Sequence, residues 1–254
     1  MQKQNQWAAT IYLLLWISTR TASSKMEIGS VEWKSRLMTG AGIMGLPLDQ
    51  RQIALFAIHA RELLRWNRKI NLTSITDPLD IAVKHFLDSI APAALIPPGS
   101  SLLDIGSGGG FPGIPLKILI PSLSVTLIDA SRKKVNFLKH LIRILEIDNA
   151  EARHARADYL LDVKMQTFDD PIKTKDERFE IIISRALSGL RDFVRMALPL
   201  LAEKGVIIAL KGKLTEAEID SVSAKEPVLS ISEKRYTLPY LESERTIITI
   251  KRNE

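Results

Sequence analysis

The stretch SLLDIGSGGGFPGIPLKILI (Ser101–Ile120) decides the fold of this chain. An apolar run ends in an aspartate, a cluster of glycines follows, and a second apolar run begins among prolines. In sheets wrapped by helices, ligands bind beyond the carboxyl ends of the strands, where a strand passes into its helix. Glycines at this point let the backbone approach a ligand closely and adopt dihedral angles that other residues avoid. The stretch therefore predicts a strand, a ligand-binding turn and a helix from Pro112, with four glycines in the turn: Gly106, Gly108, Gly109 and Gly110.

A second acid points to the class of ligand. Asp129 closes the apolar run SVTLIDA, 25 residues after Asp104, and in such folds an acid at this place accepts hydrogen bonds from ribose hydroxyls. A dinucleotide would need a glycine turn that opens directly into a helix N-terminus, whereas Phe111, Pro112 and Gly113 follow the turn here. The carboxylate of Asp104 suits a cation better than a diphosphate. We therefore predict S-adenosylmethionine, which is cationic, contains a ribose and carries no phosphate.

Short apolar runs alternate with amphipathic helices on the carboxyl side of this turn, which predicts a parallel sheet wrapped by helices. Strands are expected in SLLDIG, SVTLIDA, NAEARHA, FEIIISRA and GVIIALKG, and helices from Pro112, over Ser131–Leu145 and over Gly189–Ala202. The final runs VLSISEKRYTL and RTIITIKRN predict an antiparallel hairpin at one sheet edge. We expect an α/β, Rossmann-like fold with a seven-stranded, mostly parallel sheet at 99–254, preceded by a helical N-terminal subdomain at 26–98.

The N-terminal subdomain is predicted to contain a long helix between Leu48 and Asn67. Apolar residues recur there three and four positions apart, and Asp49 is placed to cap the helix. Another face carries Arg61, Arg65 and Arg68, which form either a solvated face or a phosphate-contacting one. A later helix carries a comparable basic stripe opposite its apolar face, which we interpret as solvated: Arg132, Lys139 and Arg143.

A second N-terminal helix is predicted to begin at Asp77 and Pro78, a cap followed by proline at the first helical position. By their spacing, His85, Asp88 and Ser89 lie on one side of this helix. We interpret His85 and Asp88 as a hydrogen-bonded pair with a structural role. The run IPPGS that follows ends the helical segment, and we place the subdomain boundary there.

Composition excludes several kinds of site. The 254 residues are 46% hydrophobic, so the chain can build a full core, and the absence of cysteine excludes disulfides, cysteine-rich zinc sites and cysteine nucleophiles. The four histidines do not form a pair with metal-ligand spacing, so no metal is expected. A net charge of +6 fits a polyanionic partner such as nucleic acid, although many proteins without such a partner carry a similar charge.

Residues 1–25 differ from the rest of the chain. WAATIYLLLWI (Trp7–Ile17) is apolar but only about half as long as a membrane span. With Lys3 before it, the run is compatible with a signal-peptide core, yet no clear small-residue cleavage site follows. We predict instead that Met26 is the physiological start, that residues 1–25 are non-native or dispensable, and that the protein is cytoplasmic without a membrane partner.

Several separated motifs carry a family resemblance. NLTSI, HFLDSI, LLDIGSGGGFPGIPL, LIDASRKKVNFL, ARADYL, ISRAL and LKG occur in this order between Gly45 and Arg252. In these motifs the sequence resembles the ribosomal small-subunit methyltransferase G family, also called glucose-inhibited division protein B, within the class I S-adenosylmethionine-dependent methyltransferases. The resemblance implies methyl transfer to ring nitrogen 7 of a guanine in the 530 loop of bacterial 16S rRNA. The partner would be the rRNA or the small ribosomal subunit, and we expect a monomer.

The resemblance also implies cofactor-binding residues. Gly106 and Phe111 would contact S-adenosylmethionine from the glycine turn, and Asp129 would be the ribose acid. Ala157 and Asp158 would flank the adenine, with Asp158 close to its exocyclic amine, unless Asp158 only caps the short helix expected after it. Many relatives have an acidic pair at this place, whereas here a tyrosine follows the single acid.

Two basic residues at strand ends are candidates for catalysis. By the resemblance, Arg185 at the end of the fourth strand would face both cofactor and substrate and orient them, and Lys211 at the end of the fifth strand would border the same cleft. Either residue could instead be an ordinary polar residue that closes a strand. A position beyond the carboxyl end of a strand favours a functional role for Arg185 and leaves the role of Lys211 open.

The residues also restrict the chemistry. Methylation of pyrimidine carbon 5 normally needs a cysteine, and methylation of an exocyclic amine usually relies on a proline pair after the fourth strand, where this chain has Ser184-Arg185-Ala186. Guanine nitrogen 7 has a free lone pair and no proton, so positioning suffices without a general base. Two alternatives stay open: an RNA-binding protein that holds the cofactor without catalysis, and an NAD-dependent dehydrogenase.

Overall fold

The computed structural model shows one sheet of seven strands covered by helices on both faces. It describes residues 26–155, 177–185, 189–212, 215–223, 225–226, 228–241 and 243–253. The predictions for residues 1–25 and for Ala157 and Asp158 fall outside these ranges. The second strand of the C-terminal hairpin is antiparallel to both of its neighbours in the sheet, and the other neighbouring strands are parallel. The predicted α/β, Rossmann-like sheet with a C-terminal hairpin is therefore confirmed.

The strands follow the apolar runs of the sequence. They are β1 Ser101–Ile105, β2 Ser124–Asp129, β3 Ala150–His154, β4 Phe179–Arg185, β5 Leu201–Lys211, β6 Leu229–Thr237 and β7 Glu244–Arg252. Their order across the sheet is β3-β2-β1-β4-β5-β7-β6. The central strands β1 and β4 are buried on both faces, and this explains why they read as continuous apolar runs without alternation.

In the described part of the chain, seven helices surround the sheet, besides short 3₁₀ turns such as Ala93–Leu95. They are α1 Val31–Ile43, α2 Gln50–Asn67, α3 (Pro78–Asp80, the π-helical Ile81–Leu87, and Asp88–Ile90), α4 Gly113–Leu119, α5 Arg132–Ile144, α6 Leu190–Ala197 and α7 Glu216–Ser223, as far as the described ranges extend. Both predicted caps are present. The Asp49 carboxylate accepts from the backbone N–H of Gln52 at 2.7 Å, and the Asp77 carboxylate accepts from that of Asp80 at 3.0 Å.

Hydrophobic cores lie on both faces of the sheet. Residues of α1 to α5, such as Phe56 and Phe86, share one cluster with Leu102 and Ile183 of the sheet. Residues of α6 and α7 pack on the opposite face. The N-terminal helices are thus anchored to the sheet by a common core, which holds α3 close to the end of β4. A domain boundary near residue 98 remains a prediction.

The helix predicted over Gly189–Ala202 is shorter in the structure. It ends at Ala197 and passes through a 3₁₀ turn, Leu198–Leu200, into β5, which begins at Leu201. Pro199 has no N–H to donate to the preceding turn, so the helix cannot continue regularly through it.

Candidate active site at the carboxyl ends of the strands

The glycine turn binds across to the neighbouring strand. The backbone N–H groups of Gly106 and Ser107 donate to the carbonyl of Ile128 at 2.9 and 3.0 Å. Gly106 has a φ of +75°, a backbone conformation that residues other than glycine rarely adopt. It is also exposed to solvent. The turn therefore exposes backbone at the carboxyl ends of β1 and β2, and a cofactor contact at Gly106 stays a prediction.

Asp104 lies beneath the turn, away from the protein surface. It is fully buried, and its Oδ2 accepts from the backbone N–H of Gly113 at 2.9 Å. Burial raises the pKa of its carboxyl to about 7, against the opposing effect of the Gly113 hydrogen bond. The expectation that this carboxylate would meet a cationic ligand is thus replaced by a bracing role between β1 and α4.

Asp129, the predicted ribose acid, is tied to the same turn. Its Oδ2 accepts from the N–H of Gly108 at 3.0 Å and its Oδ1 from the N–H of Ser131 at 2.8 Å. A carboxylate has about four lone-pair positions, so acceptor capacity remains for the two hydroxyls of a ribose. The site therefore fits a ribose-containing cofactor, with the carboxylate already oriented by two backbone donors.

The ring of Phe111 is enclosed by two histidines. The imidazoles of His59 and His85 stack on it with centroid separations of 4.5 Å each and interplanar angles of 11° and 14°. His59 Nε2 donates to the carbonyl of Gly109 at 2.7 Å. Burial, with a further contribution from the nearby Arg185 charge, lowers the pKa of His59 to about 4 and of His85 to about 3. Both rings are therefore neutral at physiological pH, and Phe111 has little free ring surface.

Arg185, at the end of β4, is held in one orientation by several partners. One guanidinium nitrogen donates to the carbonyl of Lys84 at 2.9 Å, and another donates to His85 Nδ1 at 3.1 Å. The guanidinium also lies 5.0 Å from the centroid of the Phe111 ring and 3.6 Å from the Asp88 carboxylate. The arginine thus links the glycine turn, α3 and the sheet.

Asp88 gathers a second layer of contacts. Its Oδ1 accepts from the Tyr236 hydroxyl at 2.7 Å and lies 3.6 Å from Nε of Arg245. His85 and Asp88 both contact Arg185, so the hydrogen-bonded pair predicted for them is not what the structure shows: each binds the arginine. Tyr236 and Arg245 were missed by sequence reasoning because nothing local in the hairpin β6–β7 indicates that it reaches this site.

A cleft of about 520 Å³ opens beside these residues. Arg185 and Lys211 both line it, so the structure brings together the two predicted basic residues. The Lys211 ammonium forms an ion pair with Glu218 of α7. The other lining residues include Thr73 and Ser74, which precede α3 in the NLTSI motif, together with Lys84 and Arg245.

The arginines of α2 lie outside this cleft. Arg61, Arg65 and Arg68 border a separate open groove with Ile28, and Arg65 forms an ion pair with Glu62 at 2.8 Å. The stripe Arg132, Lys139 and Arg143 on α5 is exposed. Within the described ranges, no helix has the length and apolar character required to span a membrane.

The sequence matches a family model over most of its length. The model described as GidB, rRNA small subunit methyltransferase G, matches residues 52–248. A curated protein of Geobacter sulfurreducens named Ribosomal RNA small subunit methyltransferase G is 39% identical over 217 residues, which cover 84% of this chain and 95% of that protein. One of the same name from Bacillus cereus is 37% identical, covering 82% of this chain and 85% of the relative.

Solved structures share the fold at low sequence identity. An O-methyltransferase from Bacillus cereus in complex with SAH superposes with a TM-score of 0.53 at 17% identity, covering 87% of this chain and 99% of that one. A SAM-dependent methyltransferase from Aquifex aeolicus gives a TM-score of 0.51 at 13% identity, covering 76% and 98%. The architecture is therefore that of class I methyltransferases.

Proposed function

This chain belongs to the rRNA small subunit methyltransferase G (GidB) family, and from that membership we propose its reaction. It transfers a methyl group from S-adenosylmethionine to ring nitrogen 7 of a guanine in the 530 loop of 16S rRNA. The observation that supports this most directly is the placement of Arg185, whose guanidinium lies over Phe111 of the glycine turn and lines a cleft that also carries Lys84, Lys211 and Arg245.

The cofactor site is assigned to the turn and its neighbours. S-adenosylmethionine, when bound, supplies an electrophilic methyl group on a positively charged sulfur. Gly106 offers exposed backbone in the turn, and Asp129 keeps acceptor capacity for the ribose. Phe111 and Arg185, which contact each other, are the other proposed cofactor contacts, although the ring of Phe111 is buried. Ala157 and Asp158 remain the proposed adenine contacts and lie outside the described residues.

The reaction needs positioning more than proton transfer. The lone pair of guanine nitrogen 7 forms the new bond to the methyl carbon while the sulfur–carbon bond breaks, and the positive charge passes to the base without release of a proton. The site agrees with this requirement. His59 and His85 have strongly lowered pKa values because they are buried, and Arg185 stays protonated.

Arg185 is proposed to orient the reactants. Its guanidinium is fixed by the Lys84 carbonyl and by His85 Nδ1, so little conformational freedom is lost when substrate binds. Lys211 at the rim of the cleft is proposed to favour the approach of the phosphate backbone, as cations do in nucleic-acid binding.

The partner is proposed to be 16S rRNA, either free or in the small ribosomal subunit. The net charge of +6 and the basic residues around the cleft support a polyanionic substrate. Action as a monomer in the cytoplasm, where ribosomes assemble, completes the proposal. The helical segment at 26–98 and the sheet domain at 99–254 are proposed as its two structural parts.

The decisive experiment maps the product. Small-subunit RNA lacking the modification is incubated with protein and labelled S-adenosylmethionine, then treated with borohydride and aniline. A guanine methylated at nitrogen 7 is cationic, is easily reduced, and its glycosidic bond then breaks, so we expect cleavage at one guanine of the 530 loop. Mass spectrometry of the same fragment gives an independent assignment.

Other outcomes would overturn the proposal. Methyl incorporation without aniline cleavage would indicate a different target atom. Binding of cofactor and RNA without incorporation would favour the non-catalytic alternative, and tighter binding of NAD than of S-adenosylmethionine would favour the dehydrogenase.

A further inference from the structure

A chain of hydrogen bonds with a fixed direction leads from Arg185 into the cleft. Arginine can only donate, so the nitrogen of His85 that Arg185 contacts, Nδ1 at 3.1 Å, must accept. A neutral imidazole that accepts at Nδ1 carries its proton on Nε2. The neighbour of Nε2 is the Thr73 hydroxyl, at 2.8 Å. His85 therefore donates to Thr73.

The Thr73 oxygen is then fully used as an acceptor. Besides the bond from His85, Thr73 Oγ1 accepts from the backbone N–H of Ile75 at 3.0 Å. A hydroxyl has two acceptor positions and one donor hydrogen. With both acceptor positions filled, only the hydrogen remains, and it must point away from His85 and Ile75. Thr73 lines the cleft, so this donor is available to a molecule bound there.

The backbone of Thr73 is held as firmly as its side chain. Asn67, the last residue of α2, accepts from the N–H of Thr73 at 3.0 Å and donates to its carbonyl at 2.9 Å. Its side-chain oxygen also accepts from the N–H of Leu72 at 2.8 Å. A donor fixed in this way needs no rearrangement when a ligand binds, which is the condition for a specificity contact.

We propose that the Thr73 hydroxyl donates a hydrogen bond to O6 of the target guanine. This inference rests on the proposed function. Guanine carries two neighbouring acceptors on one edge, N7 and O6. Nitrogen 7 must keep its lone pair free to attack the methyl group, so a donor that positions this edge has to bind O6.

The cleft has the size and location that this contact requires. Its volume of about 520 Å³ is within the range of pockets that enclose small ligands, roughly 300–1,000 Å³. It is lined by Arg185, whose guanidinium also lies over the ring of Phe111 in the glycine turn. Enzymes that modify a base take it out of its stack into such a pocket. An extruded guanine with O6 on Thr73 presents N7 on the same edge, next to O6.

The test is a double-mutant cycle between Thr73 and the base. Thr73→Val removes the hydroxyl with nearly the same shape, and small subunits carrying 2-aminopurine at the target position, introduced by RNA ligation, remove O6. With guanine, we expect Thr73→Val to lower kcat/KM about tenfold, the scale for loss of one hydrogen bond. With 2-aminopurine, the wild-type protein is slower and Thr73→Val causes no further loss.

Three controls separate the base contact from structural effects. Thr73→Ser keeps the hydroxyl and should restore most of the rate. The affinity for S-adenosylmethionine, measured by calorimetry, should be equal in the wild type and in Thr73→Val. Thr249→Val, on β7, is the matched control for loss of a threonine hydroxyl outside the cleft. An equal loss with guanine and 2-aminopurine, or no loss with guanine, would overturn the inference. Absence of aniline-sensitive product from the wild-type protein would instead overturn the proposed function.

Discussion

The carboxylate of Asp129 accepts a hydrogen bond from the backbone N–H of Gly108 at 3.0 Å, so the proposed ribose acid and the glycine turn form one unit. Asp129→Ala should therefore weaken S-adenosylmethionine binding by about 2–3 kcal/mol, the scale for losing charge-assisted hydrogen bonds. Calorimetry measures the change. Asp129→Asn keeps one acceptor oxygen, so its affinity for S-adenosylmethionine should lie between that of the wild type and that of Asp129→Ala. An unchanged affinity in folded Asp129→Ala would contradict the assignment of Asp129 to the ribose.

Arg185→Lys should lower kcat of methyl transfer by at least about tenfold while the protein stays folded. A lysine keeps the charge but lacks the planar fork that donates to both the Lys84 carbonyl and His85 Nδ1. Single-turnover methyl transfer measures the effect, and Arg191→Lys on the exposed side of α6 is the matched control. Full activity of Arg185→Lys would contradict an orienting role for the guanidinium.

The basic face of α2 should contribute to RNA binding through phosphate contacts. If it does, the slope of log affinity against log salt concentration should fall by roughly one unit for each arginine replaced among Arg61, Arg65 and Arg68. We expect the smallest effect for Arg65, because Glu62 already pairs with it at 2.8 Å.

The control for this measurement is a triple alanine variant of the α5 stripe, Arg132, Lys139 and Arg143, which removes the same charge from another exposed helix face. Its salt slope should stay close to that of the wild type. If the wild type, the α2 arginine variants and the α5 variant all have the same salt slope, the arginines of α2 do not contact phosphates and form a solvated surface.

Asp104 should make stability depend on pH. Burial raises the pKa of its carboxyl in the folded state to about 7, above the value of about 3.9 for an aspartate in an unfolded chain, so the folded state binds more protons than the unfolded state between these values. Its contribution is complete below the unfolded pKa and is lost as pH rises towards 7, by at most about 1.4 kcal/mol per pH unit. Denaturant unfolding of the wild type and Asp104→Asn should show a stability difference that changes over this interval. A difference independent of pH would mean that the carboxyl titrates normally.

Two glycine substitutions should have opposite effects on stability. A Cβ at Gly113 would lie 2.5 Å from Leu127 Cδ2 and 2.8 Å from Asp104 Oδ2, so Gly113→Ala should destabilise by about 1–3 kcal/mol through overpacking. Gly42, in α1, has no such neighbour within 4 Å, and Gly42→Ala should stabilise by about 0.5–1 kcal/mol. Thermal or denaturant unfolding measures both, and similar values for the two variants would contradict the packing described around Gly113.

Local sequence predicted the elements and their order because their signals lie within a few residues. The strand, glycine turn and helix around Gly106 follow from one stretch, and the caps at Asp49 and Asp77 are side-chain bonds to backbone groups three residues on. The early end of α6 has a local signal too, because Pro199 interrupts the helix although the apolar pattern continues around it. The elements and their order along the chain could therefore be predicted without knowledge of contacts between distant parts of the chain.

Only the tertiary structure decided which side chains meet. Arg185 and His85 are 100 residues apart, and they touch because β1 lies between β2 and β4 while the shared core holds α3 over the end of β4. Spacing along one helix placed His85 and Asp88 on one side but could not show that both would bind an arginine from the sheet. Asp104 lies in a strand buried on both faces, where periodicity does not distinguish the two directions of a side chain. The direction of the hydrogen bonds to Thr73 follows from an obligate donor on another element, which sequence neighbours do not reveal.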